Sequence, residues 1–131
     1  MSYAMSIDLV QPLEEVLPRV KQALAANGFG IVSEIDMQKT LMDKIGVEIG
    51  PQLILGACNP RFAHRALQVE PSIGLLLPCN VVVRHTAGVT VVEAINPDTL
   101  VALTENPALA DLAKDLSAAL NASLDVLRGA A

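Results

Sequence analysis

The run Leu53-Ile54-Leu55-Gly56-Ala57-Cys58, halted at once by Asn59-Pro60, constrains this chain more than any other stretch. A run that is apolar throughout offers no polar side to water. A strand over Gln52 to Cys58 must therefore be covered on both faces and lie centrally in a sheet. Asn59-Pro60 then starts a helix, because an asparagine side chain caps free N–H groups and proline suits the first helical position. The same dipeptide recurs at Asn96-Pro97 and Asn106-Pro107. These signals punctuate the chain.

Between them the periodicities predict the remaining elements. Tyr3 to Val10 alternates as a short strand. Pro12 to Asn27 reads as a helix, with Glu14 and Glu15 at its positive end, Gly28 stopping it and Pro18 awkward inside it. A second strand over Phe29 to Met37 is followed by a short helix from Met37 to Ile45, ended by Gly46. The helix from Pro60 runs to Val69, where Pro71 breaks it, and Ser72 to Leu77 suits either a helical turn or an extended tract. Asn80 to Thr86 and Val89 to Asn96 form a hairpin around Ala87-Gly88. A helical turn starts at Pro97. The last helix, Pro107 to Arg128, carries the stripe Leu109, Leu112, Ala113, Leu116, Leu120, Leu124 and Leu127. This order predicts one α+β domain over residues 1–131, with a tail at 129–131. Its core is a five-stranded, mainly antiparallel sheet with helices packed on one face. The connection between the third and fourth strands is long enough for either direction.

Composition removes several function classes. With 131 residues, 52% of them hydrophobic, and a mean hydropathy of +0.46, the chain is too apolar for disorder. The tract Ile73 to Val83 is interrupted by Pro78 and Asn80 and is far short of the roughly 20 residues of a membrane span. The net charge is −5, the cations are scattered, and Tyr3, Phe29 and Phe62 are the only aromatics. Nucleic-acid binding needs clustered cations and, for single strands, stacking rings, so it is not expected. Met1 to Val10 lacks a basic start followed by an apolar core, which makes the cytoplasm the default location. Two cysteines do not make a disulfide scaffold.

Those cysteines are the sharpest chemical feature. Cys58 ends the third strand and Cys79 opens the fourth. If these strands are antiparallel neighbours, the two sulfurs lie close together. The helix starting at Pro60 aims its positive end near Cys58 and favours a thiolate there. Three readings stay open: plain core packing, a soft-metal or thiol site, and a redox pair. Asn59 and Asn80 each follow a cysteine. Together with Cys58 and Cys79 they are candidate ligand-binding residues, two amides beside two thiols at one sheet end. Cys58 and Cys79 are also the candidate metal ligands, and a soft metal ion is the one cofactor considered. His64 and His85 do not complete a zinc set with them. Glu34 and Asp36 near Lys39 read as a solvated strand edge more readily than as an acid–base pair.

The hairpin supplies a second candidate surface. A two-residue Ala87-Gly88 turn makes Val82 face Glu93 and Arg84 face Val91. One sheet face then shows Asn80, Val82, Arg84, Val89, Val91, Glu93 and Ile95, and the other shows Val81, Val83, Val92 and Ala94. The first face is half apolar, and helices can cover only one side. Val82, Arg84, Val91 and Glu93 are therefore expected to meet a second copy or an apolar ligand. Arg84 and Glu93 are diagonal neighbours placed to pair.

The motifs Leu55-Gly56-Ala57-Cys58-Asn59-Pro60, Glu70-Pro71 and Gly74 to Val83 carry a resemblance to the domain-of-unknown-function 302 family. Gly28-Phe29-Gly30 and Glu34-Ile35-Asp36 fit it too. The resemblance implies a β-α-β4-α fold similar to the TATA-binding-protein class, in a bacterial or archaeal single-domain protein that is often dimeric. It implies no activity and no catalytic residue. The combined expectation is a homodimeric module that binds a small ligand or a thiophilic metal near Cys58, Cys79 and Asn80. The alternatives are a thiol–disulfide redox protein using the same pair, or a purely structural or interaction domain.

Overall fold

The computed structural model describes residues 2–129. The strands are β1 (Ala4–Leu9), β2 (Gly30–Asp36), β3 (Gln52–Cys58), β4 (Cys79–Thr86) and β5 (Val89–Ile95). The helices are α1 (Leu13–Ala26), α2 (Met37–Ile45), α3 (Pro60–Val69), α4 (Asp98–Thr104) and α5 (Ala110–Gly129). Short 3-10 segments cover Pro71–Leu76 and Pro107–Leu109. The first of these resolves the Ser72–Leu77 alternative in favour of helical turns. Of the expected tail, Gly129 closes α5, and residues 130–131 lie outside the described residues.

The strands form one sheet in the order β1-β5-β4-β3-β2, every neighbouring pair antiparallel. The α+β class expected from the sequence is therefore the observed one. β3 is interior as its apolar run requires, but the middle position belongs to β4. The order β-α-β4-α holds, with small helices inserted between strands.

Local chemistry explains the element ends. Each Asn-Pro asparagine uses its side-chain oxygen as a cap: Asn59 accepts from Arg61 and Phe62, Asn96 from Asp98, and Asn106 from Ala108. Asp36 caps α2 by accepting from the Lys39 N–H at 2.9 Å, and Glu34 pairs with Lys21 on α1 at 2.8 Å. Both carboxylates of that strand thus have structural partners. Pro18 sits on the solvent side of α1, so the helix runs through it, losing one internal bond at an exposed position. The Ala87-Gly88 turn has positive φ at both residues, 50° and 82°, which joins the strands tightly and fixes the predicted register.

The core lies between one sheet face and helices α1 and α5. Val16, Val20, Ala23 and Leu24 of α1 meet Leu116, Leu120, Leu124 and Leu127 of α5 over Val81, Val83, Val92 and Ala94, all buried. Every member of the predicted α5 stripe is buried. Ser123, the buried polar residue of α5, has its hydroxyl satisfied by the Ala119 carbonyl at 3.0 Å and faces the Ala23 carbonyl of α1.

Candidate functional site

The core does not close at one end of the sheet. Where β3 runs into α3 and β4 begins, a pocket of about 290 Å³ opens. Its floor is Ala57 on β3 and Cys79 on β4, which are directly opposed in the register. Its walls are Phe62, Ala63 and Ala66 of α3, then Leu112 and Leu116 of α5, with Leu100 of α4 and the Leu77-Pro78 segment. Three of the lining residues are alanines, and their missing side-chain volume is what leaves the space. Val32, 65% exposed, lies at the open side. It sits at the irregularity between Ile31 and Ser33 in β2, where an extra residue re-aims the edge strand.

The lining is almost entirely aliphatic, aromatic and sulfur. Its polar members are the two thiols and Asn59. The Asn59 side-chain oxygen is occupied by the α3 cap, at 3.1 Å and 3.3 Å from the Arg61 and Phe62 N–H groups. Its carbonyl takes the Ala63 N–H at 2.9 Å. The N-terminus of α3 thus has its next donors satisfied, and Pro60 has none to offer, so this helix end has no free N–H to hold an anion. The Asn59 Nδ2 has no hydrogen-bond partner among the described residues. It lies against Gly28, whose φ of +88° and lack of a Cβ let the amide fit.

Both cysteines are free, Cys79 buried and Cys58 partly buried. Burial pushes the Cys79 thiol up to about 11, and the neighbouring Cys58 charge adds to this. The two sit on adjacent strands, one register step apart. Cys79 shares the helix side with Ala57, and Cys58, the last residue of β3, lines the same pocket near enough for its charge to act on the Cys79 thiol. Cys58 is the less buried of the two pocket thiols.

The family model described as Domain of unknown function DUF302 matches residues 5–127. The chain belongs to this family. It is also similar to the crystal structure of an uncharacterized conserved protein DUF302 from Bacillus stearothermophilus, at 30% identity and a TM-score of 0.90 over 96% of this chain and 98% of that one. No curated protein matches it.

In this DUF302 chain the four candidate residues of the cysteine-asparagine motifs do not share one site. Cys58, Asn59 and Cys79 line the pocket, but Asn80 does not. It is exposed on the opposite sheet face, beside Tyr3, Val82, Glu93 and Ile95 in a separate concavity of about 280 Å³. The hairpin candidates are arranged as expected: Val82 opposes Glu93, Arg84 opposes Val91, and Arg84 pairs with Glu93 at 3.1 Å. Ser6 of β1 donates to the other Glu93 oxygen at 3.0 Å. His64 is exposed on α3, away from the pocket. His85 faces Thr90 at 3.2 Å, and the Thr90 hydroxyl donates to the Gln11 carbonyl at 2.7 Å. Thr90 therefore receives its other bond from the His85 Nδ1–H. Among the described residues no three His, Cys, Asp or Glu side chains gather where they could hold a metal ion. Among the described residues, no helix is long and apolar enough to cross a membrane.

Sequence reasoning missed the pocket walls. Phe62, Ala63, Ala66, Leu100, Leu112 and Leu116 read as ordinary core positions. The available signal was the small-residue face of α3, where Ala63 and Ala66 follow the Asn59-Pro60 start.

Proposed function

We propose that this chain is a binding module for a small, uncharged, largely apolar molecule held between α3, α5 and the Cys58–Cys79 end of the sheet. The observation that carries this is a 290 Å³ pocket whose lining holds no charged side chain. Ligand pockets are commonly apolar cavities with a few convergent polar groups. Here those groups are the two thiols and the free Asn59 Nδ2, which suits a hydrogen-bond acceptor such as a carbonyl near the mouth. The reading makes Cys58, Asn59 and Cys79 ligand-binding residues and assigns no catalysis.

The two readings that use sulfur chemistry are weaker. Cys58 and Cys79 are both free thiols, offset by one register step at the pocket. Among the described residues, a soft metal would find two thiols and no third His, Cys, Asp or Glu ligand nearby. The homodimer expected from Val82, Arg84, Val91 and Glu93 is a proposal of the same standing. It rests on the partly exposed Val82, Val89 and Ile95 of that face, whereas the expected member Val91 is already buried at 7% exposure within one copy, and sedimentation velocity tests it.

The pocket is tested with 1-aminoanthracene, a neutral aromatic dye that brightens in apolar sites. The wild-type chain should take up one equivalent, and Ala63→Phe should abolish uptake while the far-ultraviolet circular dichroism is unchanged. Equal uptake by both proteins would remove the reading. Bound metal in freshly purified protein, lost on Cys79→Ala, would replace it with the metal site.

A further inference from the structure

We propose that the outer surface of α3 and the Pro71–Leu76 turns docks this chain on an anionic lipid surface. These two segments pack on each other. They expose Leu67, Val69 and Leu75, the last at 88%. Single exposed leucines are ordinary, but three bare aliphatic side chains on adjoining segments point to an apolar partner. Charge selects which one. Between Glu48 and Arg84 the charged residues are Arg61, Arg65 and Glu70, and this segment's +1 leaves −6 on the remainder of the chain. Glu70 is held by the Asn106 amide, which donates to its carboxylate at 3.0 Å. Arg61 and Arg65 are exposed one helical turn apart, where like charges repel, and neither has a carboxylate partner among the described residues.

With about 3.6 residues per turn, Arg61, His64 and Arg65 form one stripe along α3, and Leu67 and Val69 flank it. Cations that reach phosphate groups beside aliphatic side chains that enter the acyl boundary are the two halves of interfacial binding. A second exposed apolar stretch, Met42, Ile45 and Val47, lies among Asp36, Asp43 and Glu48, with Lys39 already paired to Asp43. An anionic surface gains nothing there. The docking surface stands on these observations alone. The inner side of the same helix, Phe62, Ala63 and Ala66, walls the pocket. That the bilayer supplies the apolar ligand follows from this placement and rests on the binding reading.

The test is co-sedimentation of the full chain with phosphatidylglycerol vesicles and, separately, with phosphatidylcholine vesicles. The chain should pellet with the first and not the second, and added salt should release it. Arg61→Gln combined with Arg65→Gln should weaken binding about twentyfold, at about fivefold per arginine. Leu75→Ser should weaken it about fivefold, and Ile45→Ser on α2 should leave it unchanged. Each variant should keep the wild-type circular dichroism. No binding to either vesicle, equal binding to both, or arginine and Leu75 variants that bind like the wild type would each overturn the proposal. So would self-association that Leu75→Ser abolishes, since a second copy would then cover the surface. Dye uptake without vesicle binding would remove this inference and keep the pocket reading. Vesicle binding by a chain that takes up no 1-aminoanthracene would remove the pocket reading and keep the docking surface.

Discussion

The two faces of β4 differ by one step along the same strand. Val81 and Val83 turn toward α1 and α5 and are sealed, at 1% and 0% exposure. Val82 and Arg84, interleaved with them, stand on the other side with Glu93 and Ser6 in a partly solvated mosaic. At the start of the strand the same alternation separates Cys79, which enters the pocket, from Asn80, which does not. Chemistry in this molecule is thus sorted by strand parity more than by nearness in sequence.

The largest effect should come from adjacent residues of β3. Leu55 is fully buried on the helix side, whereas Ile54 is partly buried on the other. Leu55→Ala should cost about 2–5 kcal/mol in urea unfolding. Ile54→Ala should cost about 1 kcal/mol, in line with the smaller area it covers. Equal losses at the two sites would break the comparison and mean that the outer face is sealed too.

A smaller effect tests the pocket end. The Cys79 thiol rises from an ordinary 9.0 to about 11 on folding. A thiol with a raised native value keeps its proton when the unfolded chain releases one. Its contribution to stability is therefore complete below pH 9 and is lost between about pH 9 and 11. The loss should reach about 2–3 kcal/mol. Chemical unfolding across that range should show the slope in the wild type, and Cys79→Ala should flatten it.

The smallest effect belongs to the outer face. Arg84 and Glu93 pair with side chains 34% and 29% exposed. A double-mutant cycle with Arg84→Ala and Glu93→Ala should give a coupling of about 0.2–1 kcal/mol, weakened by salt. A coupling of several kcal/mol, unmoved by salt, would show that the pair is desolvated by a partner on that face.

Much of the fold was legible because its signals were local. The three Asn-Pro pairs specify capped starts regardless of what packs nearby, and the Ala87-Gly88 turn sets the hairpin register within its own two strands. That register also placed Asn80 on the face of Val82, and so implied that Cys79 lies on the other. Nearness of Cys79 and Asn80 in sequence hid the separation. The direction of β4 against β3 was not legible, since the intervening helix and 3-10 turns permit either. Nor was the pocket, because Phe62, Leu100 and Leu112 meet only through tertiary packing. The β2 irregularity that exposes Val32 carried no turn residue to announce it.

Gly56 bears on all of this. A Cβ there would stand 2.7 Å from Pro78 Cγ and closer still to the Ser33 hydroxyl. Ser33, Gly56 and Asn80 lie in one rung across three strands. The missing side chain works as a keyway: Pro78 and Ser33 can seat over this position, while its neighbours Leu55 and Ala57 would block them. A slip of β4 by one residue would bring a side chain under the proline and turn Cys79 outward and Asn80 in. The glycine thereby indexes which of two chemically different residues the pocket receives.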